Sequence, residues 1–294
     1  MRVKFITTIY SDLYGTDVGG RPHRHHHYRH SLLSLLKMTN ADFLCYTSDR
    51  EIESLKMFFQ IENNISENKL KFETFDLNNS KFSALINSIK NVDEIKKSDR
   101  CIELQYSKFS WWWNEDKSYD YYYWIDAGLS YNGLIPPKYL NFTDGERILY
   151  ESNLFNNLFL ENLIADTNDK FLILGKDNQR FFESSTVDPK WYTTYSNHIH
   201  VIGGLFGGHK DKWDNIVNIF ENYVVKILSD SITFLPHEEQ IMSLMFYNHT
   251  DLFVIKYFDI WWPVKEVAPK GISDTLFVEN KCFYKILEEF NGIC

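Results

Sequence analysis

The feature that most constrains the fold is an alternation of strand-like and helix-like segments at the start of the chain. Residues 3–10, VKFITTIY, are β-branched and aromatic and predict a strand. A polar loop with glycines follows, SDLYGTDVGGRP. Residues 24–38 then place Leu32, Leu33, Leu35, Leu36 and Met38 as a helix packed on a sheet requires. DFLCYT at 42–47 predicts a second strand, and Ser48 and Asp49 give an N-cap signal for the short helix in EIESLKMFF. LKFETFDL supplies a third strand. This is the βαβ rhythm of an α/β protein with a mixed, mostly parallel sheet flanked by helices.

The remainder continues in kind. Residues 81–97 predict a polar helix, and 101–117, with Trp111-Trp112-Trp113, a helix leading into the strand YYYWI at 121–125. Residues 131–146, with Pro136 and Pro137, read as loop. Residues 147–164 mix a short strand, ILY, with an apolar helix, and FLIL at 171–174 is another strand. Trp213, Ile216, Val217, Phe220, Val224 and Ile227 lie on one face of a helix over 212–228. Another helix opens at His237-Glu238-Glu239. A strand at 252–258, a Trp-Trp-Pro turn and a helix near 283–290 close the chain. No internal repeat or linker interrupts it, so residues 1–294 read as a single domain.

Composition narrows the function classes. The net charge of −9 argues against a broad electrostatic grip on nucleic acid, which needs clustered Lys and Arg. One basic run stands apart, RPHRHHHYRH at 21–30. The four cysteines, Cys45, Cys101, Cys282 and Cys294, show neither C-x-x-C spacing nor a framework, and predict free thiols in a reducing, cytoplasmic setting. The first residues turn polar within ten positions, unlike a signal peptide, and no apolar stretch reaches membrane-spanning length. Sequons such as Asn141-Phe-Thr143 therefore read as chance matches. An aromatic fraction of 17% suits either a ring-filled core or walls that hold sugars and bases.

Four features can carry chemistry. Asp126 ends an apolar strand and precedes Ala127-Gly128, which places a carboxylate at the carboxyl edge of the sheet, where ligands bind in open α/β folds. There it can hold a divalent ion against a diphosphate; it can equally end an ordinary turn. Gly203-Gly204-Leu205-Phe206-Gly207-Gly208 implies close backbone approach, or a tight strand-to-helix turn, and is neither G-x-G-x-x-G nor a P-loop. His237-Glu238-Glu239 puts two carboxylates at a helix start, where they can cap it or serve a sugar site as nucleophile, charge stabiliser or base. The run at 21–30 offers Arg21, His25 and Arg29 as phosphate donors near a helix N-terminus, or simply a solvated face.

In this order, TTIY, a basic first helix, W-I-D-A-G-L, G-G-L-F-G-G and H-E-E, the chain resembles bacterial GT-A glycosyltransferases of the HtrL/YibB (WlaTC) type. Its second half is similar to the histo-blood-group galactosyl- and N-acetylgalactosaminyltransferases, which carry G-G-F-F-G-G, an amphipathic helix and then H-D-E. The resemblance runs from residue 3 to about residue 250. It implies a GT-A-type domain with a nucleotide-sugar-binding half over 1–130 and an acceptor-binding half over 131–294. It implies transfer of a sugar from a nucleotide diphosphate sugar, UDP-linked, to a hydroxyl acceptor such as a glycan. Asp126 would match the first position of the D-x-D motif, and Glu239, beside Glu238, the carboxylate beneath the donor sugar. Thr7, Thr8 and Tyr10 would sit by the base and ribose, with Trp124, Ala127 and Gly128 around Asp126. Gly203, Gly204, Phe206, Gly207 and His237 would line the sugar and acceptor pocket. The second aspartate of D-x-D is replaced by Gly128, so either the site works without a divalent ion or a His or Asp elsewhere, with His200, His209 and His237 as candidates, completes the sphere of a Mn²⁺ or Mg²⁺ ion.

Three other readings fit parts of the pattern. A non-catalytic carbohydrate-binding protein would use aromatic walls without a nucleotide. A glycosyltransferase acting on modified DNA bases would need only a local basic strip. A His-cluster metal protein would rest on residues 21–30.

Overall fold

The structure, a computed structural model, describes residues 1–10, 24–89, 99–127, 140–143, 146–149, 157–176, 201–229 and 236–258. Its strands are β1 (Val3–Thr8), β2 (Asp42–Thr47), β3 (Leu70–Thr74), β4 (Tyr121–Ile125), β5 (Leu140–Thr143), β6 (Glu146–Leu149), β7 (Phe171–Lys176), β8 (Val201–His209) and β9 (Phe253–Phe258). Its helices are α1 (Arg24–Met38), α2 (Ile52–Lys56), α3 (Ser83–Ile89), α4 (Asp99–Ser110), α5 (Asn157–Asp166), α6 (Lys210–Ser229) and α7 (Glu238–Asn248).

Seven strands form one sheet in the order β3-β2-β1-β4-β8-β7-β9. The pairs β1–β2, β2–β3, β1–β4 and β7–β9 are parallel, and β8 runs antiparallel to both its neighbours. The α/β class expected from the alternation is the class observed. The sheet grows outward from β1 in one direction through β2 and β3, and in the other through β4. The strand order thus reverses between β1 and β4, and the carboxyl ends of strands at such a reversal open onto a crevice.

The central strands read as continuous apolar runs because both faces are covered. In β4, Tyr121, Tyr123 and Ile125 join the core beneath α1, α2 and α5, while Tyr122 and Trp124 join the core beneath α3, α4, α6 and α7. The amphipathic face read at 212–228 is real: Trp213, Ile216, Val217, Phe220, Val224 and Ile227 are all buried on α6.

Three local expectations need correction. Residues 131–146 are not wholly loop, since β5 pairs with β6 in a separate antiparallel hairpin. The helix expected through residue 117 ends at Ser110, and Trp111–Asn114 tighten into a 3₁₀ turn. That turn buries Trp111 and Trp112 and leaves Trp113 exposed. The glycine run is neither a turn nor a loop but lies within β8.

Many of the described aromatic side chains fill the core. Trp111 stacks between Tyr46 and Trp124 at centroid distances of 5.1 and 5.3 Å, and Phe109 stacks on Phe206 at 4.6 Å and on Phe220 at 4.1 Å. Buried phenols follow from this. Burial pushes the hydroxyls of Tyr46, Tyr106 and Tyr123 above the ordinary tyrosine range. An unfolded tyrosine loses its proton near pH ~10. Above that pH the unfolded state therefore binds fewer protons than the native state, and stability falls as pH rises. Urea midpoints measured from pH 8 to 11 are expected to drop on the alkaline side, with the part of the phenolate absorbance at 295 nm that belongs to these three tyrosines rising only as the chain unfolds. Ionisation of these three phenols in the native state would contradict this.

Candidate functional site

Asp126 follows the last residue of β4, at the strand-order reversal. Its backbone N–H donates to Gly204 O at 2.9 Å, which extends the β4–β8 ladder by one step. Because β8 is antiparallel to β4, the start of β8 lies beside the end of β4, and Ile125 faces Leu205. This brings Gly203 and Gly204 to Asp126. It sends Gly207 and Gly208 into the sheet, opposite Tyr123 and Tyr122.

The two glycine pairs have different physical reasons. A Cβ on Gly207 would stand 2.3 Å from Tyr122 O, and its φ of +151° suits glycine. A Cβ on Gly203 would instead meet Glu238 Oε1 at 2.9 Å and Lys108 Nζ at 3.4 Å. Gly203 therefore makes room for a charged cluster. β8 also bulges here against β7. With Leu172 opposite Gly207, an unbroken ladder would put Leu174 opposite Leu205, but Leu174 faces Ile202. Bulges of this kind are frequent beside active sites.

The cluster centres on Lys108, in the last turn of α4. Its ammonium reaches Glu238 Oε1 at 2.8 Å, Asp126 Oδ1 at 3.1 Å and Gly203 O at 3.2 Å. These acceptors match the three protons that an ammonium has to give. The Trp124 ring lies 5.4 Å below it, and the Trp124 Nε1–H donates to the same Asp126 Oδ1 at 2.7 Å. The side chains of Lys108 and Glu238 are 9% and 5% exposed, whereas Asp126 is 41% exposed. Burial alone would pull the Lys108 ammonium down, but Asp126 and Glu238 outweigh it and hold it above the ordinary lysine range. It carries its charge at every physiological pH.

Glu238 and Glu239 open α7, but the cap there is made by others. Gln240 Oε1 accepts from the His237 N–H at 2.8 Å, and the His237 carbonyl accepts from the Gln240 N–H at 3.0 Å. Glu238 turns to Lys108, and Glu239 Oε1 accepts from the Gly203 N–H at 2.8 Å. The His237 ring lies 3.3 Å from Gln105 Oε1. Tyr106 holds the preceding turn by donating to Pro236 O at 2.6 Å. Ser243 ties the start of β8 to α7, accepting from the Val201 N–H and donating to Glu239 O.

The fold thus brings together Asp126, Trp124, Gly203, Gly204, Glu238, Glu239 and His237. Ala127 is buried beside Asp126. Phe206 is core, packed on Phe109, and Gly207 packs against β4, so neither lines a pocket as expected. Thr7 is fully buried, and its hydroxyl has no hydrogen-bond partner among the described residues. Thr8 ends β1 opposite Tyr46. Tyr10 is buried and donates to Phe75 O at 2.9 Å. Arg29 donates to Ser54 on α2 at 2.9 Å. His209 pairs with Tyr121 at the far end of β4, four residues or about 13 Å along the strand from Ile125, too far to share an ion with Asp126. Arg21, Gly128 and His200 lie outside the described residues, as does the side chain of His25.

Sequence reasoning missed Lys108. The available signal was weak: one lysine on a helix that also carries Ile102, Tyr106 and Phe109, a pattern shared with any lysine that runs its stem along a core. Asp126 is a sound oxygen donor for a hard cation, but its inner oxygen already takes two N–H donors. Among the described residues no group of three or more His, Cys, Asp or Glu is arranged to hold a metal ion. Asp126 and Glu238 give the oxygens that face each other to Lys108 rather than to an ion. No described helix is long and apolar enough to cross a membrane.

No family model matches the sequence, and no curated protein matches it. Among solved structures the chain is similar to mouse xyloside xylosyltransferase 1 in its apo form, with a TM-score of 0.48 at 8% identity, covering 99% of this chain and 94% of that one. It is also similar to 4-diphosphocytidyl-2C-methyl-D-erythritol synthase from Anaerococcus prevotii DSM 20548, with a TM-score of 0.40 at 10% identity, covering 95% of this chain and 94% of that one.

Proposed function

We propose that this chain is a GT-A-type glycosyltransferase that moves a sugar from a UDP-linked donor to a hydroxyl acceptor such as a glycan. One observation carries the reading. Asp126, the Gly203-Gly204 pair and Glu238-Glu239 are far apart in sequence, and they meet at the carboxyl end of β4, where the strand order reverses. The HtrL/YibB-like motif order implies such a convergence.

Each group has a role in that chemistry. Asp126, 41% exposed against 5% for Glu238, is the more accessible of the two carboxylates on Lys108, with one oxygen fixed by Trp124 and Lys108. Glu239 is oriented by the Gly203 N–H and would stabilise, or attack, the anomeric carbon as the nucleotide leaves, which predicts retention. Gly203 and Gly204, without side chains of their own, would let the sugar approach the backbone beside Asp126.

Calorimetry with UDP and a panel of UDP-sugars, followed by hydrolysis assays, tests this reading. Asp126→Asn and Glu239→Gln are each expected to lower turnover by about 10²-fold or more, with a thermal midpoint close to wild type. Full turnover in both variants would remove these residues from the mechanism. Sugar binding with no affinity for UDP would favour a non-catalytic lectin instead.

A further inference from the structure

We propose that the Lys108 ammonium is the resident cation of this site, so that the chain handles its nucleotide sugar without a divalent ion on Asp126. The inference rests on the glycosyl-transfer reading for its substrate but on separate geometry for its content. Lys108 lies between Asp126 and Glu238, at 3.1 and 2.8 Å, with its third contact on Gly203 O. A metal that bridged those two carboxylates would need the volume that the ammonium fills. The fold is built around that occupant. Gly203 lacks the side chain that would collide with Glu238 Oε1, the partner of Nζ, the Trp124 ring lies under the ammonium, and Asp126 and Glu238 keep it charged.

The carboxylate geometry agrees. Asp126 Oδ1 accepts from both Trp124 Nε1 and Lys108 Nζ, so it has little lone-pair capacity for an ion. Hard divalent ions want about six oxygen ligands. The second position of the D-x-D pattern offers Gly128, which has no side chain to give. An ion placed on Asp126 Oδ1 would also sit against the like charge of Lys108, which lies 3.1 Å from that oxygen. The site therefore presents one fixed monovalent charge, and Asp126 Oδ1 is committed to hydrogen bonds with Trp124 and Lys108.

Manganese titration of the full chain, read by electron paramagnetic resonance after chelator treatment, tests this directly. Wild type is expected to hold no stoichiometric Mn²⁺, and the Kd for UDP-galactose should change by no more than about twofold between EDTA and Mn²⁺. Lys108→Ala removes the occupant and leaves Asp126, Glu238 and Glu239 around the vacated volume. It should acquire a Mn²⁺ signal, whereas Lys108→Arg should not. Stoichiometric Mn²⁺ on wild type that disappears in Asp126→Asn would overturn the proposal, as would a folded Lys108→Ala that binds no Mn²⁺. Should Lys108→Ala fail to fold, the comparison of wild type with Asp126→Asn decides. Absence of binding to UDP and to every UDP-sugar of the panel under both conditions would sink the glycosyl-transfer reading, while the manganese titration would still judge Lys108.

Discussion

Lys108→Met is expected to lower the unfolding free energy by about 3–5 kcal/mol, the usual cost of removing one partner from a buried ion pair. The reason is what stays behind. Glu238 is 5% exposed, and its Oε1 lies 2.8 Å from the lysine. Without that cation its charge is stranded beside Asp126 and beneath the backbone of β8. Lys108 also caps Gly203 O, so the variant leaves a second acceptor unpaired. The double variant Lys108→Met/Glu238→Leu should recover most of the loss, because an apolar pair of similar volume has no desolvation to repay. Urea denaturation of the four proteins in this cycle gives the coupling. A loss below about 1 kcal/mol for Lys108→Met would mean that the pair is effectively solvated.

Gly207→Ala should be nearly as damaging, for a reason unrelated to charge. The added methyl would lie 2.3 Å from Tyr122 O and 2.6 Å from Tyr123 Cα, atoms of a central strand that cannot move without dragging the sheet. The φ of +151° adds strain for any residue with a Cβ. The expected cost is about 3 kcal/mol or more. Gly203→Ala is the informative contrast. Its new methyl would meet the side-chain ends of Glu238 and Lys108, which can shift, so stability should change less than activity. Equal destabilisation by the two substitutions would show that Gly203, too, is held by packing alone.

The chemistry-bearing residues were legible unevenly. Asp126 could be found because a β-branched and aromatic run that ends in Asp-Ala-Gly marks a strand edge whatever surrounds it. The H-E-E run could be read as cap or site, and sequence spacing does not choose between them. In the structure Gln240 closes the helix start, the carboxylate of Glu238 points to Lys108 and Glu239 accepts from the Gly203 N–H. The glycine run was legible as a demand for close backbone approach. That its halves answer different demands depends on the direction of β8, which no local signal encodes. The high aromatic content gave two readings, and burial decided for the core at Trp111, Trp112, Trp124 and Trp213.

Periodicity and apolar runs determined the α/β class, the strand that carries Asp126 and the amphipathic α6, because those depend on short-range spacing and on which residues must leave water. Tertiary structure alone decided the strand order, the antiparallel course of β8 and the meeting of Lys108 with Asp126 and Glu238. A lysine's role is set by which carboxylates the fold delivers to within about 3 Å, and that is settled by long-range packing of α4, β4, β8 and α7 rather than by its sequence neighbours.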